Sequence, residues 1–225
     1  ADGVSSADAG RQAAEAAVQG FLSDYYATPD TWSVQTSGER VVTAINRWLH
    51  GRGQQHAENQ GWLTTFTALI LRGRSAHILH IGDTRVYRLR DGVLEPLTQD
   101  HCTRVNAETT YLSRALGMDW RIDIDYRHTD LLPGDLFLTS SDGVHGHISP
   151  ADLRRLLNET GDNLETCCDT LLATALANGS QDNLSCQLAR IESTGLDDRN
   201  EMGLHTSRLP VPPLLRPGQI LDGYQ

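Results

Sequence analysis

Residues 7–26, ADAGRQAAEAAVQGFLSDYY, place Ala13, Ala17, Phe21 and Tyr25 four apart, so one apolar stripe runs along a segment rich in helix formers. A second helix is predicted from about Thr36 to His50, with Val41, Ala44, Ile45 and Trp48 on its stripe. The glycine-rich stretch GRGQQHAENQG that follows reads as loop. From Gly61 the texture changes. TTFTALILRG and SAHILHIGD are rich in β-formers and joined by Arg72-Gly73-Arg74, a hairpin signature. TRVYRLRDGVLEPLT holds two short alternating runs around Arg90-Asp91-Gly92. RIDIDYRHTDL (121–131) alternates apolar and polar positions, and DLFLTSS (135–141) is a further strand. Helices follow near 149–159 and 162–177, the first opened by Ser149 as cap and Pro150 in the first turn. NLSCQLARI (183–191) is the last strand. Helices, antiparallel strands, helices and a strand predict an α+β domain with helices covering sheets. Past Ile191 the pattern fades, and LPVPPLLRPGQ (209–219) reads as an extended, proline-rich linker.

Composition narrows the class. The chain has 225 residues, 39% apolar and 21% charged, as in an ordinary globular protein with a sizeable core. A net charge of −10 with no basic block argues against nucleic acid and anionic lipid as partners. No apolar run approaches the ~20 residues of a membrane span, and no signal peptide opens the chain, so the expected location is the cytoplasm. No Met opens it either, which suggests a piece of a longer polypeptide. Cys102, Cys167, Cys168 and Cys186 form no CxxC pair and read as free thiols in a reducing compartment. A cysteine phosphatase needs an Arg six positions after its Cys; here those positions hold Glu108, Ala173, Thr174 and Glu192.

Asp-Gly-Val occurs three times, and its settings differ. Asp91-Gly92 lies between two strand-like runs, where a type I′ turn wants φ > 0 at both residues. Asp142-Gly143 ends an apolar strand instead, which holds the carboxylate at a sheet rim, and Gly143 leaves room for a ligand to approach the backbone. Asp2-Gly3 precedes a helix in the same way. Asp83 sits at another strand end and Asp182 at the start of the last strand, so four carboxylates mark strand termini. Oxygen donors without His or Cys select hard cations such as Mg²⁺ or Mn²⁺. His145 and His147, one residue apart on a loop with no third His nearby, are not read as a zinc pair.

Five ordered blocks carry a resemblance: ADGVSSADAG (1–10), GDTRVYRLRDGVLEPLTQDH (82–101), YLSRALG (111–117), LTSSDGV (138–144) and GSQDNLS (179–185). Together they resemble the PP2C-type metal-dependent protein serine/threonine phosphatases of bacteria. The resemblance implies a β-sandwich flanked by helices on both sides (α/β/β/α layers). It also implies hydrolysis of phosphoserine and phosphothreonine in proteins at a centre of two Mn²⁺ or Mg²⁺ ions. One metal would be held by Asp2, Asp142 and Asp182; a second would share Asp2 and take the Gly3 carbonyl. Water bridging them would attack phosphorus, so no protein nucleophile is implied. Asp83 matches a third, weaker metal position. Asp100-His101 also matches a family block and reads as structural.

The family carries a strand upstream of its first Asp-Gly, with a phosphate-binding Arg and a Glu for the second metal. This chain opens at Ala1 without them, which implies a fold lacking its first strand(s) and an Asp2 poorly fixed at a frayed end. LLRPGQILDGYQ (214–225) resembles the start of a protein-kinase domain. The expected organisation is thus a phosphatase domain over 1–191, a linker over 192–217, and a possible kinase start over 218–225, as in a phosphatase–kinase fusion. Partners would be phosphoprotein substrates and a fused or cognate kinase. The alternative is a catalytically impaired phosphatase-like module that binds phosphoproteins or regulates a fused kinase.

Overall fold

Alternation along the strands sorts the apolar side chains into three separate cores. The computed structural model describes residues 1–4, 8–55, 61–104 and 110–195. Two helices, α1 (Asp8–Tyr26) and α2 (Val34–Gln55), precede four strands: β1 (Phe66–Arg72), β2 (Ser75–Ile81), β3 (Arg85–Arg90) and β4 (Val93–Pro96). Short β5 (Cys102–Arg104) and β6 (Thr110–Leu112) pair with each other, followed by β7 (Asp125–Asp130) and β8 (Leu136–Ser140). The one-turn α3 (Asp142–His145), α4 (Pro150–Thr160), α5 (Leu164–Ala177) and β9 (Cys186–Arg190) complete the order. One antiparallel sheet runs β1-β2-β7 and a second runs β4-β3-β8-β9.

In β2, Leu79 and Ile81 join Ala13, Ala17, Phe21, Val41, Ile45 and Leu49 in a core under α1 and α2. Ala76 and Ile78, one position out of phase, meet Val86 of β3 and Phe137 of β8 between the two sheets. Leu136 and Leu138 point the other way and pack with Leu153, Leu157 and Leu171 of α4 and α5. This is the expected helix–sheet–sheet–helix sandwich. Strands covered on both faces lose the polar half of their alternation, which is why β2 is buried along its whole length.

The hairpin expectations hold. Arg72 pairs with Ser75 around Gly73-Arg74. Asp91 and Gly92 both take positive φ, 49° and 73°, as a type I′ turn demands. Ser149 caps α4, its hydroxyl accepting from the Asp152 N–H.

Two expectations fail in α2. The buried stripe is Val34, Val41, Val42, Ile45 and Leu49, whereas Ala44 is exposed and Trp48 is 46% exposed. Trp48 turns outward, edge-on to Trp62 and under the Arg52 guanidinium. The helix also continues through Gly51 and Gly53 to Gln55, so GRGQQ is not loop; packing along α2 outweighs its poor helix formers. The pair β5–β6 carried no sequence signal, being three residues on each side. From residue 196 onward the predicted linker and the kinase-like start at 218–225 lie outside the described residues.

Candidate metal centre

Four connections meet at one end of the sandwich. Asp83 lies in the turn from β2 to β3, Asp142 opens α3 just after β8, and Asp182 lies in the loop leading into β9. Asp2 lies on the extended start of the chain, which bridges to Thr64 before β1. In these antiparallel sheets the end of β2 and β8 is also the start of β3 and β9. Carboxylates as distant in the chain as Asp2 and Asp182 therefore converge without a contiguous motif.

Each carboxylate has its own anchor. The Asp2 carbonyl accepts from the Thr65 N–H (2.8 Å) and the Thr64 hydroxyl (2.9 Å), and the Asp2 N–H donates to Thr65 Oγ1 (2.9 Å). Val4 N donates to the Leu63 carbonyl at 3.0 Å. The expectation of a frayed Asp2 is therefore wrong: backbone pairing to 63–65 ties it down. Gly3, between these bonds, lies against α1, where an added Cβ would stand 2.3 Å from the Gly10 carbonyl carbon. Asp142 Oδ1 accepts from the Gly143 N–H at 2.8 Å, and Asp182 Oδ1 from the Asn183 N–H at 2.7 Å. Both side chains are folded back on the next peptide, and their second oxygens are left to other partners.

Asp83 depends on its neighbours. Gly82 before it has φ 105°, open to glycine, and an added Cβ would press within 2.6 Å of Thr65. His101 locks this turn: its N–H donates to the Gly82 carbonyl (2.8 Å) and its Nδ1 accepts from the Gly82 N–H (3.0 Å). With Nδ1 accepting, Nε2 carries the proton and donates to Asp125 Oδ2 at 3.1 Å. Asp100 takes the Arg85 guanidinium in a two-pronged pair of 2.8 and 2.7 Å, which holds its carboxyl below the usual range against the opposing effect of burial. Both residues support the site from beneath, as the structural reading of Asp100-His101 expects.

Burial and mutual repulsion both act on this cluster. Burial first, then Asp142, Asp182 and Asp83, push the Asp2 carboxyl up to about 6. Burial and then Asp142 and Asp100 likewise raise Asp83 to about 6. Cys102, whose Sγ lies 3.8 Å from Asp83 Oδ2, is pushed up to about 11 by burial and these carboxylates, so its thiol stays protonated. His145 is turned away from the site: it is buried and its Nδ1 meets Ser140 Oγ at 3.1 Å. Among the described residues no three His, Cys, Asp or Glu side chains form a ready-made metal cage. The donor set nonetheless fits a hard dication, being oxygens only and crowded enough that their negative charges oppose one another.

Gly143 corrects one sequence reading. Its lack of a side chain admits not a ligand but the Asn183 carbonyl, which would stand 2.6 Å from an added Cβ. The contact is part of a zipper. Ser141 Oγ donates to Asn183 O (3.0 Å) and accepts from Ser185 N (3.1 Å), and Ser180 Oγ donates to Gly143 O (2.8 Å). These serines fix Asp142 against Asp182. Sequence reading passed over them, along with Arg85, because partners 15 to 44 positions apart leave no local pattern.

Comparison with known proteins agrees with this architecture. The family model described as Protein phosphatase 2C matches residues 1–189. The serine/threonine phosphatase Stp of Listeria monocytogenes is 26% identical over 215 residues, covering 86% of this chain and 84% of that protein. The structure of the S. agalactiae serine/threonine phosphatase superposes with a TM-score of 0.77 at 24% identity, over 85% of each chain. The catalytic domain of the phosphatase PstP, solved in complex with two manganese ions, superposes with a TM-score of 0.72 at 23% identity, over 84% of each chain. The last two likenesses speak to the fold.

Proposed function

Because the chain belongs to the protein phosphatase 2C family, we propose that it hydrolyses phosphoserine and phosphothreonine in proteins at a centre of two Mn²⁺ or Mg²⁺ ions. Asp2, Asp142 and Asp182 would hold one cation, Asp2 and the Gly3 carbonyl the other, and Asp83 a third, weaker site. The observation that carries this reading is the meeting of four carboxylate-bearing connections at one end of the sandwich, where burial first and neighbouring carboxylates second raise Asp2 and Asp83 to about 6. When bound, the cations supply Lewis acidity that acidifies water and draws charge from the phosphoryl oxygens. The chain's own residues do the positioning. Asp142 and Asp182 are each folded onto the following N–H, and the Ser141–Asn183–Ser185 zipper holds the two loops in register. Arg85–Asp100 and His101 brace Asp83 from below. Manganese binding by the PstP catalytic domain supports the choice of metal.

The test is reconstitution. Metal-stripped protein should hydrolyse p-nitrophenyl phosphate and a phosphothreonine peptide only after Mn²⁺ or Mg²⁺ is added, and EDTA should stop it. Iodoacetamide should not, since Cys102 and Cys186 are held protonated, at about 11 and about 12. Turnover that survives EDTA would sink the reading. The competing reading is a module that binds phosphoproteins without turnover. Metal-saturated protein that binds a phosphopeptide and leaves it intact would establish it.

A further inference from the structure

The site has acidic groups in surplus, and a phosphoserine ester has a need they do not meet. Its leaving group is an alkoxide, a strong base that departs slowly unless a proton reaches it as the P–O bond breaks. Among the groups placed above, His145 is buried against Ser140 and Cys102 is held protonated beside Asp83. His147 is differently placed. With Gly179, Gln181 and Asp182 it lines one shallow cleft, which sets it beside one of the four carboxylates.

The ring is fixed on two sides. Its Nδ1 lies 3.1 Å from the Gly143 carbonyl, which can only accept, so Nδ1 carries a proton and donates. That carbonyl is itself held by Ser180 Oγ at 2.8 Å, and the carbonyl of His147 accepts from Asn178 Nδ2 at 2.7 Å. The same two loops that set Asp142 against Asp182 therefore set His147. With Nδ1 turned back onto α3, Nε2 is the ring nitrogen left to serve a ligand in the cleft that His147 lines. A second proton on the ring has only Nε2 to occupy.

Resting on the phosphatase reading and deepening it, we propose that His147 is the proton donor to the leaving seryl or threonyl oxygen. Water oxygen forms the new bond to phosphorus. The bond from phosphorus to the seryl oxygen breaks, its electron pair goes to that oxygen, and the Nε2 proton follows. The ring is left neutral with Nδ1 still donating to Gly143, and it regains from solvent a proton equal to the one the attacking water releases.

The experiment compares leaving groups. p-Nitrophenolate departs without a proton because its ring delocalises the charge, whereas serine needs one. In Mn²⁺-loaded protein, His147→Gln should cut kcat on a phosphoserine peptide by ~100-fold, within the usual range for general acid catalysis. The loss on p-nitrophenyl phosphate should be at least about tenfold smaller. Wild type inactive on both substrates would overturn the phosphatase reading and this proposal with it. Wild type active, with equal losses or none in the variant, would overturn the proposal alone. A metal-free measurement on the wild-type protein stands beside this one. Nitrogen NMR of the neutral His147 imidazole should find the proton on Nδ1. An Nε2–H tautomer would overturn the assignment, and this readout holds even where the His147→Gln substitution destabilises the fold.

Discussion

Single side chains carry the chemistry, and their roles separate by charge. Asp142→Asn keeps an Oδ1 to accept from the Gly143 N–H but removes the negative charge. The variant should fold with a metal-free melting temperature no lower than wild type, since a repelling charge is removed, and lose Mn²⁺-dependent turnover by ~100-fold or more, since several kcal/mol of charge stabilisation rest on the bound cation. Asp100→Asn should behave differently. It leaves the Arg85 guanidinium without its charged fork partner beneath the site, so stability should fall as well, by ~1–3 kcal/mol in urea unfolding. Residue identity told the carboxylates apart from the turn at Asp91, because strand context differs. It could not reveal Ser141, Ser180 or Arg85, whose partners are set only by how strands pair.

At the scale of elements, glycines give the sharpest contrast. Gly51 sits in α2 with nothing within 4 Å of where a Cβ would be, so Gly51→Ala should stabilise by ~0.5–1 kcal/mol through helix propensity alone. Gly143 sits in α3 with the Asn183 carbonyl 2.6 Å from that point. Gly143→Ala should push α3 from the 182–185 loop, cost ~1–3 kcal/mol, and weaken Mn²⁺ binding because Asp142 and Asp182 move apart. Differential scanning calorimetry and metal titration read both effects. A stabilising Gly143→Ala would show that the zipper is slack. The same element logic explains the misphased stripe of α2. Periodicity placed Val41 and Ile45 on the core side, but neighbouring residues decide whether the stripe extends toward Trp48 or Leu49. Leu49 packs under the sheet while Trp48 meets Trp62 and Arg52, none of which lies on the helix's apolar pattern.

The molecule as a whole should respond to pH through its buried histidines. His80 and His145 are 2% and 7% exposed, and both are lowered to about 4, His80 by burial and the neighbouring His101 ring, His145 by burial and the Arg85 charge. The unfolded chain binds these protons near 6.5 and the folded one near 4, so the unfolded state holds more protons in between. Each histidine's contribution to stability therefore rises with pH across this window and falls on acidification, by up to ~2 kcal/mol per histidine at pH 5. Urea midpoints at pH 7.5 and 5 measure it, and His80→Gln should flatten the dependence. Asp2 and Asp83, raised to about 6, act in the opposite sense in metal-free protein, so the decisive comparison is between variants: a pH dependence unchanged in His80→Gln would contradict the His80 assignment. The surface makes a further prediction. Val18, Leu22 and Tyr26 of α1 and Leu71 of the outer strand β1 are all exposed and line one cleft, which also reaches β9, the outer strand of the other sheet. Such a patch beside two sheet edges should bind the dye ANS, and Leu22→Lys with Leu71→Lys should lower that binding and reduce light scattering.

By itself the sequence determined the layers, because a residue's period and polarity are local: the 3.6-residue stripe of α1, the alternation of β7, the hairpin turns at Gly73 and Asp91-Gly92, and the cap at Ser149. It also marked Asp2, Asp83, Asp142 and Asp182 as strand-end carboxylates. What only the tertiary structure decided was their meeting. Antiparallel pairing of β2 with β7 and of β8 with β3 and β9 sets which loops share an end. Those pairings are fixed by side chains buried between two sheets rather than by neighbours along the chain. The bond from His147 to Gly143, the tie of Asp2 to Thr65 and the close approach of Gly143 to Asn183 arise the same way. Each is a contact between segments whose separation no local pattern encodes, and each sits where the carboxylates come together.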